Sequence, residues 1–294
     1  MTQAARAFVR TLRPRQWVKN VFVMAPLVFS RHLTDPAYAI RAALAALAFC
    51  ALSGAVYAFN DVRDADADRQ HATKRLRPIA AGELAERTAL VGAGALAAVA
   101  LAGCATLAWL LAGFAAAYLG QNLAYSLGLK RIAFVDIALI ASGFLLRVLA
   151  GAAAIAVPAS RWLLVCTALL ALFFGLGKRG HELTWAARNA RATTTRAALA
   201  GYRIEVVRVA MVVLALATSA AFVAYTVAPH TVAFFGTTRL IYVTPFAVLG
   251  MVRFLLLALW RVGPEPPTDA MLRDPWFLAV LVGASATTVY AIYG

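Results

Sequence analysis

Apolar residues do not alternate along this chain. They come in long runs separated by short polar stretches that are mostly basic. The runs are about 17–25 residues long, the length a helix needs to cross the hydrocarbon core, and they lack the two-residue period of a barrel strand. A helix satisfies its own backbone in lipid, so the pattern predicts an all-α integral membrane protein. Nine spans are expected, at roughly 18–33, 38–60, 88–109, 111–128, 134–157, 161–177, 204–228, 237–260 and 275–293. The first is short and interrupted by Pro26, and the third and fourth are joined by a very short connection near Leu111–Gly113. Ahead of them, Arg6, Arg10, Arg13 and Arg15 interleave with Phe8, Val9 and Leu12. That pattern predicts an amphipathic interfacial helix within residues 1–17 and not a signal peptide.

Composition agrees. The 294 residues are 63% hydrophobic and 14% charged, against about a quarter charged in a soluble domain. The net charge of +15 would suggest nucleic acid in a soluble protein. Here the basic residues sit in short loops between apolar runs, so they point to membrane orientation and to anionic lipid or substrate, with no nucleic acid expected. With the N-terminus in the cytoplasm, 22 of the 28 Lys and Arg fall on the inner side, among them Arg188, Arg191, Arg196, Arg203 and Arg261. Arg31, Arg41, Arg161 and Arg239 fall outside, and Arg147 and Arg253 lie within spans. Of 13 carboxylates only Asp35 is placed outside. Two causes fit that bias: neutralisation of nearby bases, or chemistry on the inner face. Cys50, Cys104 and Cys166 lie in apolar runs without a CxxC partner and read as packing residues. The chain reads as one domain, 1–294, with two long inner loops at 61–87 and 178–203 that follow spans two and six.

The chemistry concentrates in those loops. Span two ends in Asn60-Asp61-Val62-Arg63-Asp64-Ala65-Asp66-Ala67-Asp68. If the helix continues, Asn60, Asp64 and Asp68 share one stripe, with Asp61 beside them. Carboxylates crowded on one face repel, more strongly near a membrane, and a divalent cation relieves this. Oxygen donors of this kind suit Mg²⁺, which commonly takes one or two carboxylates plus substrate phosphates. The competing reading is a solvated acidic helix end paired with Arg63, Arg69, Lys74 and Arg75. A calcium loop is excluded, because Arg69 stands where a Gly is required and Arg75 where the terminal Glu should be. Next comes His71-Ala72-Thr73-Lys74-Arg75-Leu76-Arg77-Pro78-Ile79-Ala80-Ala81-Gly82. Pro78 and Gly82 break the helix and present Lys74, Arg75 and Arg77 in a bent loop beside the acids. A metal next to a basic cluster is the arrangement that a diphosphate requires.

The Asn-Asp-x-x-Asp-x-x-x-Asp motif, the Lys-Arg-x-Arg-Pro-Ile-Ala-Ala-Gly run and the nine-span pattern resemble the UbiA superfamily of intramembrane prenyltransferases. Arg13-Pro14-Arg15-Gln16-Trp17-Val18-Lys19-Asn20, Tyr125-Ser126-Leu127-Gly128-Leu129-Lys130, Gly177-Lys178-Arg179-Gly180-His181-Glu182-Leu183 and Arg273-Asp274 after Pro266-Pro267 are similar to its decaprenyl-phosphate phosphoribosyltransferase branch. The resemblance implies a helical bundle around a central cavity open to the cytoplasmic face of a bacterial-type inner membrane. It also implies phosphoribosyl diphosphate as donor and a polyprenyl phosphate as acceptor. Ordinary prenyltransferases of the superfamily carry a second acidic motif after span six. Here that place holds Lys178, Arg179, His181 and one carboxylate, Glu182, which suits a further phosphate group rather than more metal. On this basis Asn60, Asp61, Asp64 and Asp68 are expected to hold Mg²⁺ and diphosphate. Lys74, Arg75, Arg77, Lys178 and Arg179 are expected to hold phosphates, and Glu182 the ribose hydroxyls. Arg15, Gln16 and Lys19 are placed at the lipid phosphate or the ribose 5-phosphate, with Asn20, Tyr125 and Lys130 also binding substrate. Asp64, Asp68 and Lys178 are the expected catalytic residues. Simple positive-inside anchoring competes for Lys178 and Arg179. Asp136 is either a helix N-terminal acid or a site residue, His181 reads as a loop histidine, and Arg147 and Arg253 are intramembrane charges without an assigned role.

Two rivals follow from the same residues. One is a prenyltransferase using a polyprenyl diphosphate and an aromatic or other small acceptor, which would favour an acidic second motif. The other is a transporter or lipid-binding membrane protein, whose polar site belongs near the bilayer midplane rather than at the interface. Chain length of the isoprenoid and homo-oligomerisation are left open by the sequence.

Overall fold

The structure, a computed structural model, describes residues 3–70, 73–188, 197–260 and 265–294. His71, Arg191, Arg196 and Arg261 of the reading above lie outside the described residues. Two Asp-Pro pairs start the helices that matter most. Asp35 caps α3 by accepting from the Ala37 N–H at 2.9 Å, and Asp274 caps α13 by accepting from the Phe277 N–H at 2.8 Å. In each, proline occupies the first helical position, where its missing N–H costs nothing.

In chain order the helices are α1 (Gln3–Thr11), α2 (Ala25–Phe29), α3 (Pro36–Arg63), α4 (Ala65–Arg69), α5 (Glu86–Leu107), α6 (Trp109–Leu127) and α7 (Val135–Ala154). They continue with α8 (Arg161–Arg188), α9 (Ile204–Val227), α10 (Pro229–Phe235), α11 (Thr244–Leu259), α12 (Pro267–Ala270) and α13 (Pro275–Tyr293). Among the described residues, seven helices are long and apolar enough to cross a membrane: α3, α5, α7, α8, α9, Arg239–Leu259 and α13. Large apolar side chains such as Val209 and Leu216 on α9 and Leu281 and Val282 on α13 are exposed, as a lipid-facing surface requires.

The first of the nine expected spans is not one helix, and seven rather than nine helices have the length and hydropathy of a span among the described residues. Residues 18–33 do not form one helix. Pro14–Val23 is a 3₁₀ segment and α2 adds barely more than a turn. The expected fourth span is α6, 19 residues long, but Gln121 and Asn122 dilute its apolar character and it is not among the seven. The loops are corrected as well. α3 runs through Arg63, and α4 continues the turn, with Asp64 N–H to Asn60 O at 2.9 Å and Asp68 N–H to Asp64 O at 2.8 Å. α8 is helical through Arg188, so Lys178, Arg179 and Glu182 stand on a helix and not in a loop.

The chain falls into two units, Met1–Lys130 with Gly143–Ala159, and Arg131–Ser142 with Ser160–Gly294. α7 is divided between them. The first unit has a core of Phe49, Leu52, Leu111 and Tyr118 with many alanines, small residues that let helices approach closely. α1 turns its apolar side inward: Ala7, with Phe8, packs on Ala65, Ile79, Leu84 and Ala89. In the second unit, Phe173 and Phe254 meet at 5.1 Å between ring centres beside Met211 and Val207. Arg41 donates to the carbonyls of Ala154 (2.7 Å) and Leu107 (2.9 Å), so one cation closes the C-terminal ends of α7 and α5. Both intramembrane arginines find partners. Arg147 donates to Asn20 Oδ1, Gly143 O and the Tyr118 hydroxyl at 2.8–2.9 Å. Arg253 grips Asp274 with two bonds, at 3.0 and 2.5 Å.

Gly151 shows why residues 14–23 pack as they do. A Cβ on Gly151 would run into the Val23 carbonyl oxygen and sit 2.9 Å from its carbon. α7 accepts this backbone only because it has no side chain there. Gly151→Ala is expected to lower stability in detergent by about 1–3 kcal/mol. Gly103→Ala, where a Cβ meets nothing within 4 Å, is the neutral control. Thermal unfolding of the two variants checks it.

Candidate active site

From the end of α3 to α4 the chain carries four carboxylates, each met by a base: Asp66 is exposed and pairs with Arg69, and the other three are at least partly buried. Asp61 is 2% exposed, Asp68 is 3% exposed, and Asp64 is partly exposed. Asp61 pairs with Arg13, and its Oδ1 lies 3.2 Å from Arg77 Nη1. The same nitrogen is 2.5 Å from Asp68 Oδ2. Lys130 Nζ reaches Asp64 Oδ1 at 2.7 Å and Asn60 Oδ1 at 3.2 Å, while Asn60 Nδ2 donates to Asp64 Oδ2 at 3.0 Å. Three acids from two successive turns of chain thus face cations from three separate stretches. Directly after Arg77, Pro78 and Gly82, the latter at φ +77, turn the chain towards α5.

The expected stripe is therefore formed, since Asn60, Asp64 and Asp68 follow one another by i→i+4 bonds and Asp61 shares Arg77 with Asp68. Among the described residues, no group of three or more His, Cys, Asp or Glu is placed to hold a metal ion by itself. Yet Asp61 and Asp68 both lie within 3.2 Å of one guanidinium nitrogen, so two carboxylates converge on a single cationic point. That donor set fits a Mg²⁺ that arrives with phosphate ligands of its own.

Other expected residues are scattered in role. Lys74 and Arg75 are exposed on a 3₁₀ turn, Lys74–Leu76, beside α4. Arg15 is exposed, and Gln16, Lys19 and Tyr125 are partly exposed. Asn20 is corrected. It is 2% exposed, and its amide binds Ser53 (3.2 Å), Cys50 (3.3 Å) and Arg147, so it belongs to the polar interior of the first unit.

The second unit holds a separate charged cluster. Arg179 is completely buried; its Nε is 3.0 Å from Asp136 Oδ2 and its Nη1 pairs with Glu182. The guanidinium of Arg179, expected to hold phosphate, is enclosed between two carboxylates. Asp136 is fully buried as well and accepts a hydrogen bond from the Tyr202 hydroxyl at 2.6 Å. That hydroxyl in turn accepts from the Phe134 N–H at 2.7 Å. Burial, aided by the Asp136 carboxylate, pushes the Tyr202 phenol well above its ordinary value and keeps it a donor. Lys178 is half-buried, and the Glu182 side chain keeps 30% exposure.

Sequence reasoning missed Arg13 and Tyr202 as site-forming residues. Arg13 has φ 52, uncommon for a non-glycine residue, and its guanidinium also lies 5.1 Å from the Tyr57 ring centre. The only signal was its place at the head of the Arg13–Asn20 motif. Tyr202 carried none.

The profile of the UbiA prenyltransferase family matches residues 21–281. The decaprenyl-phosphate phosphoribosyltransferase of Mycolicibacterium smegmatis is 43% identical over 188 residues, covering 62% of this chain and 58% of that protein. The protein of the same name from Corynebacterium glutamicum is 42% identical over 183 residues, covering 61% and 55%. The chain thus spans about three fifths of the length of the curated relatives it matches. A solved UbiA homolog from Archaeoglobus fulgidus bound to GPP and Mg²⁺ superposes with a TM-score of 0.71 at 16% identity, over 97% of this chain and 98% of that one.

The paired charges generate a stability prediction. Arg77→Ala removes the guanidinium that the buried Asp61 and Asp68 share, so it should cost about 1–3 kcal/mol. Arg13→Ala combined with it should cost more than the two singles summed, because both act on the buried Asp61. Denaturant unfolding of the singles and the double checks this.

Proposed function

Since the chain belongs to the UbiA prenyltransferase family, we propose that it transfers 5-phosphoribose from phosphoribosyl diphosphate to a decaprenyl-type polyprenyl phosphate, with release of diphosphate. It is a multi-pass membrane protein with seven apolar helices among its described residues. The observation that carries the reading is the make-up of the two charged clusters. Carboxylates and bases alternate at the end of α3, which suits a metal-bound diphosphate. On α8, where a prenyl-diphosphate enzyme of this superfamily would carry a second acidic motif, the chain has Lys178 and a single Arg179-held Glu182. The names of the relatives at 42–43% identity support the same donor and acceptor.

Asn60, Asp61, Asp64 and Asp68 would hold Mg²⁺ together with the diphosphate; when bound, the ion neutralises and orients that leaving group. Arg13, Arg77 and Lys130 exchange their carboxylate partners for diphosphate oxygens, for which guanidinium forks are suited. Lys74 and Arg75 take further phosphate oxygens. Arg15, Gln16 and Lys19 take the lipid phosphate or the ribose 5-phosphate, and Tyr125 borders the substrate. Glu182 accepts from ribose hydroxyls and Lys178 holds a phosphate. In the reaction the bond from the anomeric carbon to the diphosphate oxygen breaks and the diphosphate keeps the electron pair. An oxygen of the lipid phosphate bonds to that carbon from the opposite face and inverts it. The acceptor is already ionised at neutral pH, so no general base is needed, and catalysis is positioning plus charge stabilisation. The one-sided distribution of 22 of 28 basic residues supports an N-terminus and site on the cytoplasmic side of a bacterial inner membrane.

Purified protein incubated with radiolabelled phosphoribosyl diphosphate, Mg²⁺ and decaprenyl phosphate should yield a labelled lipid. No labelled lipid, with clear turnover of a prenyl diphosphate on an aromatic acceptor, would replace this reading by the prenyltransferase one. Asp64→Asn and Lys178→Ala should each lower turnover by about a hundredfold or more in a protein that still folds, and removal of Mg²⁺ by chelation should abolish it.

A further inference from the structure

Glu182 is the one acid of the second cluster with appreciable exposure; the residues behind it are buried. Arg179, which pairs with it, is 0% exposed, Asp136 is 0% exposed and Tyr202 is 6% exposed. The order of the contacts is fixed by chemistry. The Phe134 N–H can only donate, so the Tyr202 oxygen accepts from it at 2.7 Å and spends its own proton on Asp136 Oδ1 at 2.6 Å. Asp136 then faces Arg179 with its other oxygen, Oδ2, at 3.0 Å. That contact is electrostatic more than directional. Asp136 Oδ2 and Arg179 Nε and Nη2 are buried and have no hydrogen bond of good geometry among the described residues. The guanidinium is therefore aimed by where the Asp136 charge is held, and Asp136 is held by Tyr202. Phe134 adds a constraint: it sits at φ 65, just before α7, with its ring 4.8 Å from that of Tyr202. A non-glycine residue kept in the left-handed region marks a place that its surroundings over-determine.

We propose that Tyr202 is a positioning residue for donor specificity: through Asp136 and Arg179 it sets the orientation in which Glu182 meets the hydroxyls of the donor sugar. The proposal rests on the assignment of Glu182 to ribose made above. A carboxylate discriminates a sugar by accepting from its hydroxyls, and it does so only while its oxygens are aimed at them. One oxygen, Oε2, is already tied to Arg179 Nη1, so rotation of that guanidinium rotates the carboxylate. Loss of the Tyr202 hydroxyl leaves Asp136 free to shift and Arg179 with it, without altering the volume of the interior.

The test compares the full-length protein and Tyr202→Phe on phosphoribosyl diphosphate and on its 2-deoxy and 3-deoxy analogues, with decaprenyl phosphate as acceptor. The variant is expected to lose about tenfold in kcat/KM on the ribosyl donor, the worth of a well-placed hydrogen bond. On at least one deoxy donor it should lose less than twofold, so that discrimination collapses. Asp136→Asn should move the discrimination in the same sense, and Tyr202→Phe should add nothing in a Glu182→Gln background. Equal losses on all three donors, or full additivity with Glu182→Gln, would overturn the proposal and mark Tyr202 as merely structural. Glu182→Gln that leaves discrimination intact would overturn the ribose assignment itself, and the proposal with it. A wild-type chain that turns over none of the three donors would sink both.

Discussion

Ionised carboxylates cannot be left unbalanced at the edge of a hydrocarbon layer. The cost of an unpaired charge rises steeply as water is withdrawn, and Asp61 and Asp68 are almost wholly buried where α3 leaves the apolar region. Each acid therefore draws in a base. The bases come from before α3 (Arg13), from the loop after α4 (Arg77) and from the turn after α6 (Lys130). Neutralising one short acidic stretch thus ties three distant pieces of chain to one point. α1 joins the same assembly through Phe8 and Ala7 on α4 and α5, so part of its apolar side packs on protein.

The same constraint recurs wherever a charge enters an apolar run. Arg41 spends its guanidinium on the carbonyl ends of two helices, Arg147 on an amide, a carbonyl and a phenol, Arg253 on the capping Asp274, and Arg179 on Asp136 and Glu182. Buried pairs of this sort are poor sources of net stability, since desolvation offsets much of the attraction, but breaking one leaves a lone buried charge and is costly. They act more as registers than as glue. A pairing also sets what a residue is available for. Arg77 and Lys130 are partly exposed and face carboxylates that a metal can take over. Arg179 is enclosed and its guanidinium is taken up by Asp136 and Glu182.

Much of the fold was legible from run length alone, because a membrane helix must satisfy its backbone internally and its length is set by the bilayer. Seven of the nine expected spans have counterparts among the apolar helices of the structure. The failures have local causes. The stretch 18–33 has the composition of a span, but Pro14 and Pro26 and the close approach of Val23 to Gly151 favour a 3₁₀ segment and a short turn. α6 has the length, but Gln121 and Asn122 lower its hydropathy. Helix α8 outruns its apolar stretch, because a helix does not end where its hydrophobicity does.

The amino-acid order by itself determined the helical class, the grouping of acids on one stripe and the basic loop beside them, since these depend on neighbours within a few residues. It also carried the motif likeness that places the chain among the UbiA prenyltransferases. What only the tertiary structure decided is which base meets which acid, and which charges are enclosed. Arg13 and Arg179 look alike as letters in a basic stretch. One holds the buried acid of a partly open cluster, and the other is sealed behind Glu182, because burial and pairing are set by segments more than 40 residues away in sequence (Asp61 for Arg13, Asp136 for Arg179). Tyr202 was invisible for the same reason: a lone tyrosine gains meaning only from the carboxylate that the fold sets against its hydroxyl.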